Sequence, residues 1–172
     1  MRERTPPTTI VLLGMMGAGK TTVGQALVAR TGWRYMDNDE LVRAATGRAP
    51  EEIDATDGTD ALHAAEAAAL RRALSMPGPL IAAAAAWVAT DPDSVTLLER
   101  APAVGYLRAQ PQTLHGRIGA GDGRREDATD LDWLQARFRE RDATYRRLGS
   151  VTIDTDGASA SAVAAEILAV IG

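Results

Sequence analysis

Hydrophobic positions in this chain follow two periods that succeed one another along its length. Thr9-Ile10-Val11-Leu12-Leu13 is an unbroken apolar, β-branched run, the pattern of a strand buried on both faces. A glycine loop follows, and from 21 to 30 Val23, Leu27 and Val28 recur at helical spacing. Further strands are expected at 33–36, 80–84, 103–107 and 151–153. Further helices are expected at 39–45, halted by Gly47, and at 59–74, broken by Pro77-Gly78-Pro79. Asp91-Pro92 caps and starts a short one, and others span 111–118, 131–148 and 159–171. Residues 119–130 are polar and glycine-rich, with no hydrophobic face. Five strands alternating with helices predict an α/β fold: a five-stranded parallel sheet with helices on both faces. No repeat or linker interrupts it, so 9–172 is expected to be one domain behind a charged, proline-bearing tail of residues 1–8.

Composition narrows the function. The chain has 172 residues, 45% of them hydrophobic and 24% charged, an ordinary globular balance. A net charge of −4 argues against a nucleic-acid binder. The absence of cysteine excludes disulfides, a thiol nucleophile and a thiolate zinc site. No secretion signal and no run long enough to span a membrane is read, so the expectation is a cytoplasmic protein, monomeric or weakly dimeric, without membrane partners. Of 19 basic residues one is a lysine, Lys20. It stands where a compact, flexible ammonium serves better than a planar guanidinium.

That place is Gly14-Met15-Met16-Gly17-Ala18-Gly19-Lys20-Thr21, which fits G-x-x-x-x-G-K-[ST] between a strand and a helix. Such a loop turns its backbone N–H groups towards phosphate oxygens, and the following helix adds its positive end. Gly14, Gly17, Ala18, Gly19, Lys20, Thr21 and Thr22 are therefore candidate nucleotide-binding residues. Lys20 would bridge the β- and γ-phosphates of ATP, and Thr21 would ligate Mg²⁺. The fold expected is the three-layer sandwich of P-loop NTPases. Asp37-Asn38-Asp39 follows the second strand, which puts two carboxylates at the same sheet edge as the loop. One could hold Mg²⁺ and the other orient an attacking hydroxyl. Asn38 or Asp39 could alternatively cap the next helix.

With both motifs in place, the chain resembles the shikimate kinase family of P-loop kinases over nearly its whole length. The resemblance implies a small hydroxyl compound as phosphoryl acceptor, Mg-ATP as donor, and a mobile lid, here about 119–130. Tyr35-Met36-Asp37-Asn38-Asp39 is similar to the family's Phe-x-Asp-x-Asp element. By that match Asp37 assists Mg²⁺ and Asp39 contacts the acceptor hydroxyl as a catalytic residue. Glu66 stands at the Glu of the family's Phe-Arg-x-x-Glu, and Arg141 at the carboxylate-binding Arg of Arg-x-Pro-Leu-Tyr. Arg117 matches the adenine-contacting Arg, and Arg124 the lid Arg that closes over the transferred group.

The departures gather on the acceptor side. Leu62-His63 replaces Phe-Arg, Ala84-Ala85-Ala86 replaces three glycines, and Arg125-Glu126-Asp127 replaces Pro-Leu-Leu. Three methyl groups are expected to crowd the pocket and to disturb its backbone. As a binding residue His63 suits a neutral polyol or a weaker anion; otherwise it only borders the pocket. Trp33, Trp87 and Trp133 are expected to pack helix against sheet, and His115 to lie on the surface. The leading expectation is an ATP-dependent kinase of a small metabolite. The alternatives are shikimate kinase itself, a gluconate-type sugar-acid kinase, or a non-catalytic nucleotide-binding protein.

Overall fold

Strand β1 (Thr9–Leu13) is buried along its whole length at the centre of the sheet, as its unbroken apolar run requires. The computed structural model describes residues 8–119 and 130–172. Beyond β1 the order is α1 (Lys20–Thr31), β2 (Arg34–Asp37), α2 (Asn38–Thr46), α3 (Pro50–Asp57), α4 (Thr59–Ser75) and β3 (Leu80–Ala83). A short 3-10 helix (Ala86–Thr90) follows, then α5 (Pro92–Glu99), β4 (Val104–Arg108), α6 (Pro111–Gly119), α7 (Leu131–Leu148), β5 (Val151–Asp154) and α8 (Ala160–Ile171).

The five strands are parallel in the order β2-β3-β1-β4-β5. From β1 the chain steps one way to β2 through α1. It then steps back the other way through α4, α5 and α7. Right-handed crossovers put these two sets on opposite faces, and α1 packs with α8. The reversal of direction opens a crevice at the carboxyl ends of β1, β2 and β3. A main core of β1, β3, β4, α1, α7 and α8 side chains lies around the central strands. A smaller cluster of Leu41, Val42, Ile53, Leu62, Ala69, Ala73 and Ala82 ties α2, α3 and α4 together beside β3.

Two elements depart from the sequence expectation. Helix α3 carries a single buried aliphatic, Ile53, so it has no hydrophobic period; its signals were Pro50 in the first turn, Glu51 and Glu52 after it, and Gly58 at its end. Strand β3 ends at Ala83, one residue short of the expected 80–84, and the 3-10 helix occupies 86–90, where no element was expected. Gly119 belongs to α6, and Asp130 caps α7 by accepting from the Asp132 amide, which shortens the expected loop at both ends. The expected lid with Arg124, and the tail up to residue 7, lie outside the described residues.

Candidate functional site

The turn from β1 into α1 is closed by the Ala18 amide donating to the Met15 carbonyl at 3.1 Å. Gly19 then starts α1 at φ 95°, a left-handed conformation that costs other residues about 1–2 kcal/mol. The next residue, Lys20, folds back over this loop. Its Nζ donates to Gly14 O at 2.8 Å and to Met15 O at 3.1 Å. Burial lowers its pKa to about 8, although Asp37, Asp39 and Glu66 pull the other way; Arg141 adds to the lowering. Arg117 clamps the loop from α6: Nη1 donates to Gly17 O at 3.3 Å and Thr155 Oγ1 at 3.2 Å, and Nη2 to Thr155 O at 2.8 Å. The guanidinium thus ties the loop to the segment after β5. These residues border a cavity of about 720 Å³, within the range of small-molecule sites.

Asp37 closes β2 and is the N-cap of α2, accepting from the Asp39 amide at 3.0 Å through Oδ1. The capping role expected of Asn38 or Asp39 therefore falls to Asp37, because it is the residue that keeps an extended backbone at the strand end (φ −86°, ψ 143°). Its Oδ2 accepts from Thr21 Oγ1 at 3.3 Å and from the Tyr35 hydroxyl at 3.0 Å. The Thr21 hydroxyl and the Asp37 carboxylate are hard oxygen donors side by side, a set that fits Mg²⁺.

A second cavity of about 380 Å³ adjoins the first. Helix α4 supplies Leu62, His63 and Glu66, the 3-10 helix Trp87, and α7 Trp133, Arg137 and Arg141. Asp39, Met16, Glu66 and Ala86 border both chambers. The two chambers meet at Asp39, an arrangement that suits transfer of a group between two bound molecules.

The comparisons with known proteins agree with this geometry. The shikimate kinase family model matches residues 16–172. The shikimate kinase of Moorella thermoacetica is 35% identical, over 94% of this chain and 92% of that protein. This chain belongs to the shikimate kinase family. The family's counterpart from Symbiobacterium thermophilum is 36% identical, over 92% of this chain and 93% of that protein. Acinetobacter baumannii shikimate kinase, solved in complex with shikimate, superposes with a TM-score of 0.88 at 28% identity, covering 96% and 93% of the two chains. As a member of the shikimate kinase family the chain is an ATP-dependent phosphotransferase with an alcohol group as acceptor, and it uses Mg²⁺. Among the described residues no helix is long and apolar enough to cross a membrane.

The acceptor side corrects one expectation and adds to another. Ala84–Ala86 do not distort the backbone: Ala85 sits at φ −64°, ψ 147°, and no described non-glycine residue has positive φ. The Ala84 amide donates to Leu12 O at 3.1 Å, and the Ala86 carbonyl accepts from the Tyr145 hydroxyl. Trp87 and Trp133 pack on the core but also border the acceptor chamber, which sequence pattern missed because neither sits in a motif. Trp33 packs on the core as expected, and His115 is exposed. His63 lies against Trp87, ring centroids 4.0 Å apart and planes 13° apart. Arg141 borders the chamber with its buried Nε lacking a hydrogen-bond partner.

Proposed function

We propose that this chain transfers the γ-phosphoryl group of ATP to a ring hydroxyl of a small polyhydroxylated metabolite bound between α4, the 3-10 helix and α7. The observation that carries this reading is the junction of the two chambers at Asp39. Residues 14–22 and Arg117 hold the nucleotide, with Lys20 on its β- and γ-phosphates. Thr21 and Asp37 hold Mg²⁺, which neutralises charge between those phosphates. Asp39 takes the proton of the acceptor hydroxyl as its oxygen bonds to phosphorus and the bond to the ADP oxygen breaks. Glu66, His63 and Arg141 contact the acceptor. Arg124 delivers positive charge to the transferred group.

A second reading, shikimate itself as the acceptor, is favoured by the placement of Arg141 and by the relatives reported above. A coupled ADP-release assay with Mg-ATP against shikimate and a panel of ring polyols tests both. Acceptor-dependent ADP release supports the kinase reading. ATP binding with no release on any acceptor would point to the non-catalytic alternative.

A further inference from the structure

Helix α7 carries Arg141 to the acceptor chamber, and the next residue in the chain borders neither chamber. That residue, Asp142, turns its carboxylate to β4. Oδ1 accepts from the Tyr106 hydroxyl at 2.8 Å and from Arg108 Nε at 2.9 Å. Oδ2 accepts from Arg146 Nε at 3.0 Å, one turn further along α7. Tyr106 and Arg108 stand two apart on the strand, so both present to the face that α7 covers. Arg108 is held in its turn. Its Nη1 pairs with Asp154 of β5 at 3.1 Å, and its guanidinium lies 4.9 Å from the centre of the Phe138 ring, one turn before Asp142. Burial works to raise the Asp142 pKa. The bonds from Tyr106, Arg146 and Arg108 outweigh it and hold the carboxyl below its ordinary value, so the anchor is charged at neutral pH.

A second tie lies three residues on. Buried Tyr145 leans on the Tyr106 ring, centroids 4.9 Å apart, and donates to the Ala86 carbonyl at the chamber edge. Arg141 and Tyr145 are one turn apart on one side of the helix. A helix tied at 142 to β4 and at 145 to the 3-10 helix is held against rolling. Side chains reach about 6 Å from a helix axis, so a roll of about 10° moves a side-chain tip by about 1 Å. A misplacement of that size is enough to lose a positioned contact.

Resting on the kinase reading above, with Arg141 on the acceptor, we propose that Asp142 is a positioning residue for acceptor binding: by locking α7 onto Tyr106 and Arg108 it aims Arg141 into the chamber without touching either substrate. Tyr106 belongs to the same lock. It pairs in register with Leu13, the last residue of β1 before the phosphate loop, so the acceptor arginine is referenced to the strand that carries the nucleotide site.

Initial rates of ADP release test this, with shikimate and the ring polyols as acceptors and KM read on whichever is turned over best. Asp142→Ala should raise that KM about tenfold, because a misaimed Arg141 loses binding shared by ground and transition states. The kcat should stay within about threefold and the KM for Mg-ATP within about twofold. Asp142→Asn keeps the Oδ1 acceptor and should bring the acceptor KM back to within about threefold of the parent. The deciding measurement is a cycle with Arg141→Ala. In that background Asp142→Ala should raise the acceptor KM no further, whereas independent residues would multiply their effects. Calorimetric Mg-ADP affinity within about twofold of the parent shows that a variant is folded. Should Asp142→Ala fail that check, Tyr106→Phe removes one hydroxyl from the lock and runs the same cycle, with an expected rise of about threefold. An acceptor KM unmoved in the folded variant, multiplied effects in the cycle, or equal rises in both KM values overturns the proposal. Loss of the kinase reading has a separate signature, no ADP release by the parent chain with any acceptor, and removes the proposal with it.

Discussion

The two chambers that meet at Asp39 are made in different ways. The nucleotide chamber is centred on the main chain of one loop, with a lysine folded onto the carbonyls of that loop and Arg117 tying it to the segment after β5. The acceptor chamber is lined by side chains from α2, α3, α4, the 3-10 helix and α7, held by stacking and by a few buried polar contacts. Main-chain geometry fixes a ligand that never varies, a polyphosphate. Side-chain geometry allows the acceptor to differ between members of one family without disturbing the fold.

If that division is right, damage on the nucleotide side should abolish turnover with every acceptor. Lys20→Ala removes the charge that meets the transferred group and also the two bonds across the loop. We expect kcat to fall about 10³-fold or more, read by coupled ADP release, with the melting temperature little changed. Turnover within tenfold of the parent would sink the assignment of Lys20.

Asp39→Asn strikes the junction itself. It keeps shape and removes the proton acceptor, so kcat should fall about 10²–10⁴-fold while calorimetric Mg-ADP affinity holds. A change in nucleotide affinity with kcat preserved would move Asp39 wholly to the nucleotide side. Arg141→Ala strikes the other chamber. Losing one charged hydrogen bond, about 1.5–3 kcal/mol, should raise the acceptor KM about ten- to a hundredfold and leave Mg-ATP alone. Equal losses for both substrates would show that the chambers are not separable.

The same division explains what the sequence disclosed. β1, the loop and the Asp37–Asp39 pair were legible because each is a local pattern whose meaning depends on neighbours a few residues away. Helix α3 escaped because Ile53 is its one buried aliphatic, so no period existed to be read. The tryptophan wall escaped because His63 and Trp87 are far apart in sequence and meet only once α4 and the 3-10 helix are packed. The alanines at 84–86 were misjudged for a related reason. Glycine in a family motif suggests positive φ, but here Ala85 is extended and Ala86 opens the 3-10 helix, conformations alanine adopts without strain. What 120–129 contributes, Arg124 included, is outside the described residues and rests on resemblance.

A pH experiment separates the chambers again, with a smaller effect. In the ligand-free site Lys20 titrates near 8, below its ordinary 10.5, chiefly through burial. The unfolded chain thus holds a proton that the folded chain lacks between those values, so this group makes stability rise with pH across that window. Polyphosphate brings negative charge and raises the bound pKa. Nucleotide binding above pH 8 should therefore take up a proton, and the dissociation constant for Mg-ADP should grow about three- to tenfold from pH 8 to 9. Calorimetry in two buffers of different ionisation heat reads the uptake directly. Lys20→Met should abolish it, and uptake that persists in that variant would assign the proton to another group.

The smallest expected effect concerns Tyr35, whose hydroxyl sits where the family motif has phenylalanine. It donates to Asp37 Oδ2 at 3.0 Å, the oxygen that also accepts from Thr21. Its ring is wedged against α1 at Gly24, where a Cβ would stand 2.2 Å from the ring carbon Cε2. The wedge holds the phenol in place, and the phenol then holds the carboxylate towards Thr21. Tyr35→Phe keeps the wedge and removes the donor, at a net cost of about 0.5–1 kcal/mol, so Mn²⁺ or Mg²⁺ affinity in the presence of ADP should weaken about two- to fivefold. Gly24→Ala should do more, because it displaces the whole ring, and should lower the melting temperature as well. An unchanged metal affinity in Tyr35→Phe would mean that the Asp39 amide and Thr21 alone orient Asp37, and that this chain's tyrosine serves the packing of β2 against α1. A weakened one would place a residue of the strand interior in the control of the metal, on the nucleotide side of the divide, with the acceptor KM unmoved.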